Sequence, residues 1–465
     1  MQELTEKRLK RQVIGKQHRF LAVVPLGFEQ TLVNEIAYIR RQFTNSEQAS
    51  EPFAIDIAGD GKVEFSAKIS EAWKIVALSR IANRISMHIA DFKAENFRDL
   101  EKKAAEIPWE LYLSDERTGY ALQTRDERSI SSNSLRIHVT CKHSRLYHSD
   151  AIAERLEKTI GVSLPLAPAA ASATPSPRGA APNTPPQNLY ISLIDDRCTI
   201  WLDLAGEELY KRGHERFVND APLKETIAAA MLFEATNCTP STSYCLLDLM
   251  AGSGTFSLEA AYITNKLIPG ICRDFSLKHQ PAFKEATWNF IIKNVTASSN
   301  GAEQSTTRII TSDISPKAVE IIKHNIECSP LASIAPAPIA PELKDFFSYS
   351  AQEILSSCSA DASLGEASPI IVLNPPYGKR LDFDAPKLYT RIGRRLAELA
   401  HPLKAAGKPL TVAILAPKDE PNSKYTCTAN LLRECPGLSP DHNPEAKRIV
   451  TSHGGLTLNV FIAKI

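Results

Sequence analysis

The stretch LLDLMAGSGTF, Leu246 to Phe256, decides how this chain is read. With Tyr244 and Cys245 ahead of it, its first half is an unbroken apolar run, as in a strand buried on both faces. Asp248 closes that run and can salt-bridge a ligand ammonium. Gly252 and Gly254 let the backbone turn tightly and leave a ligand room to approach where a Cβ would stand. TFSLEAAYITNKLI then has the period of a helix. Strand, glycine turn and helix in that order start an α/β unit that takes a ligand at the strand's C-terminal end. The spacing is D-x-x-x-G-x-G, without the third glycine of the dinucleotide fingerprint. A turn made only for packing is the alternative for this stretch alone.

The same alternation continues downstream. RIITSD is a strand, PKAVEIIKHNIEC a helix, PIIVLN a strand, KLYTRIGRRLAELA a helix and PLTVAILAP a strand. This predicts a mostly parallel sheet with helical crossovers. KRIVTS and LTLNVFIAKI around His453-Gly454-Gly455 predict a closing antiparallel hairpin. Asp313 ends RIITSD, where it can take two ribose hydroxyls or cap the helix that starts at Pro316. VLNPPY, Val372 to Tyr377, ends the next apolar strand at Asn374. Pro375 and Pro376 have no N–H and fix the carbonyls around them. Asn374 and the Pro375 carbonyl are then two rigid acceptors beside the flat Tyr377. That set suits an exocyclic amine on a planar ring; a capped turn with a core tyrosine is the alternative.

Upstream of Gly206 the texture is α+β. Residues 1–19 read as a basic tail, 20–85 as one α+β module and 86–205 as a second. Within the second, Leu164 to Gln187 is rich in Pro and Ala and reads as a disordered insertion. Residues 206–465 form the α/β domain. The net charge of +1 across 465 residues confines any nucleic-acid surface to local patches. Candidates are Lys7–Arg19, Lys142–Arg145, Lys211–Arg216, Lys379–Arg380 and Arg391–Arg395. No run reaches the length of a membrane span, and MQELTEKRLKRQ lacks the apolar core of a secretory signal. Nine cysteines without a CxxC pair fit reduced thiols in the cytoplasm, with neither a disulfide framework nor a metal site expected.

Together, D-x-x-x-G-x-G, the acid one strand on and N-P-P-Y resemble the class I S-adenosylmethionine-dependent methyltransferases that act on amino groups. LYKRGHERFVNDAPLKETIAAAML (Leu209–Leu232), NPPYGKRL and LYTRIGRRL narrow this. They resemble the bacterial 23S rRNA guanine-N2 methyltransferases that carry a THUMP domain. SRLYHSDAIAERL and FLAVVPLGFEQTLVNEI resemble the N-terminal half of that family, a ferredoxin-like module followed by the THUMP domain. The resemblance implies that Asp248, Ala251, Gly252, Ser253, Gly254 and Thr255 hold the methionine part of the cofactor, and Asp313 with Ile314 its ribose side. Asn374, Pro375, Pro376 and Tyr377 would hold the target base, with Asn374 also beside the cofactor. Lys379, Arg380, Lys211 and Arg212 would meet RNA. The family's adenine-contacting acid is replaced by Ser350, leaving Ser350, Ala351 or Glu353 for that contact. A tRNA guanine, an adenine N6, a glutamine amide, or an inactive RNA-binding assembly protein remain as alternatives.

Overall fold

A computed structural model describes residues 2–42, 53–114, 135–163, 187–218, 222–237, 244–301, 307–359, 367–377, 384–420 and 426–465. The N-terminal half is built on strands β1 (Gln17–Val23), β2 (Ile55–Gly59), β3 (Lys62–Lys68), β4 (Arg84–Lys93), β5 (Leu135–Lys142), β6 (Gln187–Ile194) and β7 (Arg197–Asp203). They form one sheet in the order β2-β3-β1-β4-β7-β6-β5. All neighbours are antiparallel except β5 and β6. Helices α1 (Gln2–Leu9), α2 (Glu29–Gln42), α3 (Ile69–Leu78), α4 (Phe97–Ala105) and α5 (Ser149–Ser163) accompany it.

Two expectations are corrected here. The boundary between residues 85 and 86 falls inside β4, which pairs with β1 on one side and β7 on the other. Local texture could not reveal this, because the joining pairs are distant in sequence. The basic tail is also structured: α1 and a π-helical turn, Lys10–Ile14, lead into β1. Leu9 and Val13, one helical turn apart, are buried, which supplies the apolar contact that holds so short a helix. Lys7, Lys10 and Arg8 pair with Glu3, Glu6 and Glu110, so this segment is not a set of free cations. Residues 164–186 of the expected insertion lie outside the described residues, and Gln187 already belongs to β6.

The C-terminal half carries α6 (Glu225–Ala235), β8 (Tyr244–Asp248), α7 (Thr255–Thr264), α8 (Glu285–Gly301), β9 (Arg308–Asp313), α9 (Pro316–Glu327) and β10 (Pro341–Leu343). These are followed by α10 (Ala351–Ser359), β11 (Ser368–Leu373), α11 (Ala385–Ala405), β12 (Thr411–Pro417), α12 (Cys427–Glu434), β13 (Lys447–His453) and β14 (Leu456–Lys464). The sheet order is β10-β9-β8-β11-β12-β14-β13. The first five strands are parallel, and β14 runs antiparallel to both β12 and β13. Every residue of β8 is buried, as its apolar run requires. Order reverses at β8, whose C-terminal edge is therefore the crevice where open α/β sheets bind ligands.

A buried ionic cluster ties the halves together. Arg212 donates to both carboxylate oxygens of Glu259 on α7, at 2.9 and 3.1 Å. Arg80, just past α3, lies 3.5 Å from the same carboxylate and donates to the Tyr262 and Leu267 carbonyls.

Candidate active site

Register places the three motif loops at one edge. Asp248 pairs with Thr311 on β9 and with Val372 on β11, so Asp313 and Asn374 each lie two residues beyond the last paired position. The loop between β8 and α7 is held from both sides. Gly252 N–H donates to Asp313 Oδ2 at 2.8 Å, and Ser315 N–H to Asp313 Oδ1 at 2.9 Å. Asp313 thus organises both loops. The cap of α9 is the neighbouring Ser315, whose hydroxyl accepts from Ala318 N–H.

The two glycines have different duties. Both take positive φ, +57° at Gly252 and +78° at Gly254. A Cβ at Gly254 would sit 3.1 Å from Ile322 of α9, so this position is held by close helix packing. A Cβ at Gly252 would meet no atom of the described residues within 4 Å, so its bare Cα faces open space among them at the sheet edge. Ile314, beside Asp313, leaves 68% of its surface exposed there. An open glycine, a carboxylate and an uncovered aliphatic face fit a nucleoside-bearing ligand.

Asp248 does not serve as expected. Its carboxyl is 1% exposed, and Oδ2 accepts from Ser257 N–H at 3.1 Å and from Ser257 Oγ–H at 2.7 Å. Burial pushes its pKa up to about 7, against the lowering effect of the Ser257 hydrogen bonds. A group so enclosed fixes the first turn of α7 rather than pairing with a ligand ammonium. It also sets a pH dependence. The folded pKa lies above the unfolded value, so its contribution to stability is full in acid and is lost as pH rises through about 7. Urea unfolding from pH 5 to 8 should cost the wild type about 2–3 kcal/mol more than Asp248→Asn. Parallel pH profiles would disprove the assignment.

Arg216, at the end of the basic run Lys211–Arg216, is half-buried against the glycine loop instead of facing solvent. Its guanidinium donates to Ser253 Oγ at 3.1 Å and to Thr255 Oγ1, and pairs with Glu225 of α6. Burial lowers its pKa to about 10. Asn325 of α9 completes the clamp. It accepts from Phe217 N–H at 2.8 Å and donates to the carbonyls of Phe217 and Ser253 at 2.9 and 3.1 Å. Neither residue stands out in the sequence, because an arginine or asparagine carries no sign of burial. Arg212 is likewise withdrawn from RNA, being 5% exposed and bonded to Glu259. Lys211 is exposed and pairs with Glu207. Lys379 and Arg380 lie outside the described residues. In the later basic segment, Arg395 bonds Glu398 and the Tyr349 carbonyl, and Arg394 pairs with Glu434.

At the end of β11, Pro375 is buried, Pro376 exposed, and Asn374 and Tyr377 half-buried. Asn374 Oδ1 is itself buried and has no hydrogen-bond partner among the described residues. Buried acceptors are nearly always paired, and leaving one unpaired costs about 1–3 kcal/mol. The Tyr377 ring packs on the core on both sides of the sheet, so part of the expected stacking face is used for packing. Ser350 accepts from Glu353 N–H at 3.1 Å and caps α10. Glu353 pairs with Lys344. Ser350 and Glu353 thus each have one bond within the protein.

Residues 212–335 match the UPF0020 family profile, described as an RMKL-like methyltransferase domain. Ribosomal RNA large subunit methyltransferase K/L of Allochromatium vinosum is 29% identical over 343 residues, 73% of this chain and 42% of that protein. The chain spans about two fifths of the length of such relatives. YpsC of Bacillus subtilis (strain 168), named as a candidate RNA methyltransferase, is 27% identical over 79% of this chain and 80% of its own. Among solved structures, SMU.472, a candidate methyltransferase complexed with SAH, superposes with a TM-score of 0.67. It is 21% identical and covers 97% of this chain and 98% of its own. The chain therefore shares the fold of this methyltransferase structure, and its residues 212–335 are similar to an RMKL-like methyltransferase domain.

Proposed function

We propose that the chain transfers a methyl group from S-adenosylmethionine to the exocyclic N2 of a guanine in 23S rRNA. The observation that carries this reading is the orphaned Asn374 Oδ1, buried at the sheet edge one strand from the open Gly252. A buried acceptor with no partner among the described residues suits a donor from the substrate. The RNA class is supported by the names of relatives, which refer to large-subunit ribosomal RNA and to RNA.

The cofactor fits the residues present. Gly252, Ser253 and Gly254 would line its amino-acid end, Asp313 its ribose hydroxyls and Ile314 its adenine. When bound, it supplies a methyl group on a sulfonium, already an excellent leaving group. The chain's work is then to hold the acceptor. Guanine N2 is a poor nucleophile because its lone pair is delocalised into the ring. Asn374 Oδ1 and the Pro375 carbonyl would accept its two amine protons, favouring a pyramidal nitrogen whose lone pair is free. Alignment can supply ~7–11 kcal/mol of barrier reduction. No strong base is needed, since the nitrogen becomes acidic only once alkylated. Unstacking the base costs a few kcal/mol, which contact with Tyr377 at ~1–3 kcal/mol would offset in part. RNA would be gripped through the N-terminal sheet, read as a ferredoxin-like and THUMP region, and by Lys379 and Arg380, two and three residues past Tyr377 in the sequence. Such a substrate places the enzyme in the cytoplasm; no helix among the described residues could cross a membrane.

The test is nucleoside mass spectrometry of 23S rRNA and tRNA from cells with and without the gene. The expected result is loss of one N2-methylguanosine from 23S rRNA. Loss from tRNA, or of N6-methyladenosine, would overturn the substrate assignment and keep the chemistry.

A further inference from the structure

Beside the glycine loop, a second cluster has no part in methyl transfer. Glu215 lies on the segment between β7 and α6, His324 lies in the last turn of α9, and Cys328, four residues on, caps the C-terminal end of that helix. One carboxylate oxygen, one imidazole nitrogen and the thiol sulfur all fall within 4.8 Å of one another. His324 Nε2 is 3.3 Å from Cys328 Sγ. Three donors bonded tetrahedrally to zinc, at 2.0–2.3 Å each, stand about 3.3–3.8 Å apart. The helix pair therefore already has the required separation. Glu215 is exposed and, among the described residues, its side chain has no ion pair or hydrogen bond, so it can close the remaining distance.

The surroundings hold the ligands in place. The Phe217 ring stacks on the His324 ring at 4.0 Å and 10° and fixes its plane. Asn325, next in the chain, grips the Phe217 backbone by two hydrogen bonds and keeps the Glu215 segment against α9. We propose that Glu215, His324 and Cys328 bind a single zinc ion. The donor set selects the cation. A thiolate and an imidazole favour zinc over magnesium or calcium, which take oxygen ligands. Binding would break the Cys328 S–H bond, form Zn–S and release one proton to solvent. Three protein ligands leave the fourth position to water. The ion would staple the 212–218 segment onto α9, and with it Arg216, which holds Ser253 and Thr255. No local pattern announces this site, because H-x-x-x-C is a two-ligand fragment and its third member lies far upstream.

Cobalt(II) is the probe, added to the untagged, chelator-stripped full chain under a phosphine reductant. The expected result is one equivalent bound with a near-ultraviolet thiolate-to-cobalt band, bleached by one equivalent of zinc. Cys328→Ser should abolish the band, and Glu215→Gln, an exposed change that spares the fold, should weaken binding by at least about tenfold. Zinc should raise the wild-type melting temperature and leave that of Cys328→Ser unmoved. Absence of the band in the wild type would reduce the cluster to an S–H···N contact and overturn the proposal. So would cobalt affinity equal in the wild type and Glu215→Gln. This outcome is independent of methyl transfer, which can fail or succeed without altering the spectrum.

Discussion

Asn374→Ala is expected to lower methyl transfer by about 10²- to 10³-fold, the cost of removing one preorganised polar contact at a reacting group. Cofactor affinity should stay within about threefold, because Gly252, Asp313 and Ile314 are untouched. Stability should not fall. Oδ1 is buried without a partner among the described residues, so its removal ends a desolvation cost instead of breaking a bond. A variant that is inactive, folded and still binds cofactor separates a substrate acceptor from a structural asparagine, whose loss would lower the melting temperature. Single-turnover rates on an RNA fragment, with calorimetry of cofactor binding, give both readings. An Asn374→Ala enzyme within tenfold of wild-type rate would sink the acceptor pair.

The legible part of this molecule was the part in which one residue type has one local meaning. An apolar run with glycines behind it marked β8 and its loop, and the acid ending the next strand marked Asp313. N-P-P-Y marked the end of β11, and those residues do converge at one edge of the sheet. Charge was misread where burial decides its role. Arg212 and Arg216 lie in a stretch that reads as basic surface. Their counter-charges sit on α7 and α6, elsewhere in the sequence, and both guanidiniums are enclosed. Asp248 was read as a ligand group for the same reason: nothing local announces that Ser257 on α7 takes its oxygen. The N-terminal modules merged because pairing between β4 and β7 joins strands about a hundred residues apart, beyond the reach of local pattern.

Glu259→Ala should have the largest effect on stability. Glu259 is fully buried, with Arg212 bonded to both its oxygens and Arg80 at 3.5 Å. Burial lowers the Arg80 pKa, and the Glu259 charge is the main opposing influence. Removing the acid leaves two buried guanidiniums without the counter-charge they share, at a cost of about 3–5 kcal/mol. The double variant Arg212→Met/Glu259→Leu removes one charge with its partner and refills the space, so it should lose less than Glu259→Ala alone. Arg80 remains held by the carbonyls of Tyr262 and Leu267. Urea unfolding of the three proteins measures the difference, and a loss below about 1 kcal/mol in Glu259→Ala would disprove the cluster's role. Glu259 sits on α7, the helix that follows the glycine loop, while Arg80 belongs to the N-terminal half. The acid is thus the joint between the half proposed to grip RNA and the loop proposed to hold the methyl donor. Glu259→Ala should therefore loosen cofactor binding as well as the fold, whereas Asn374→Ala should do neither.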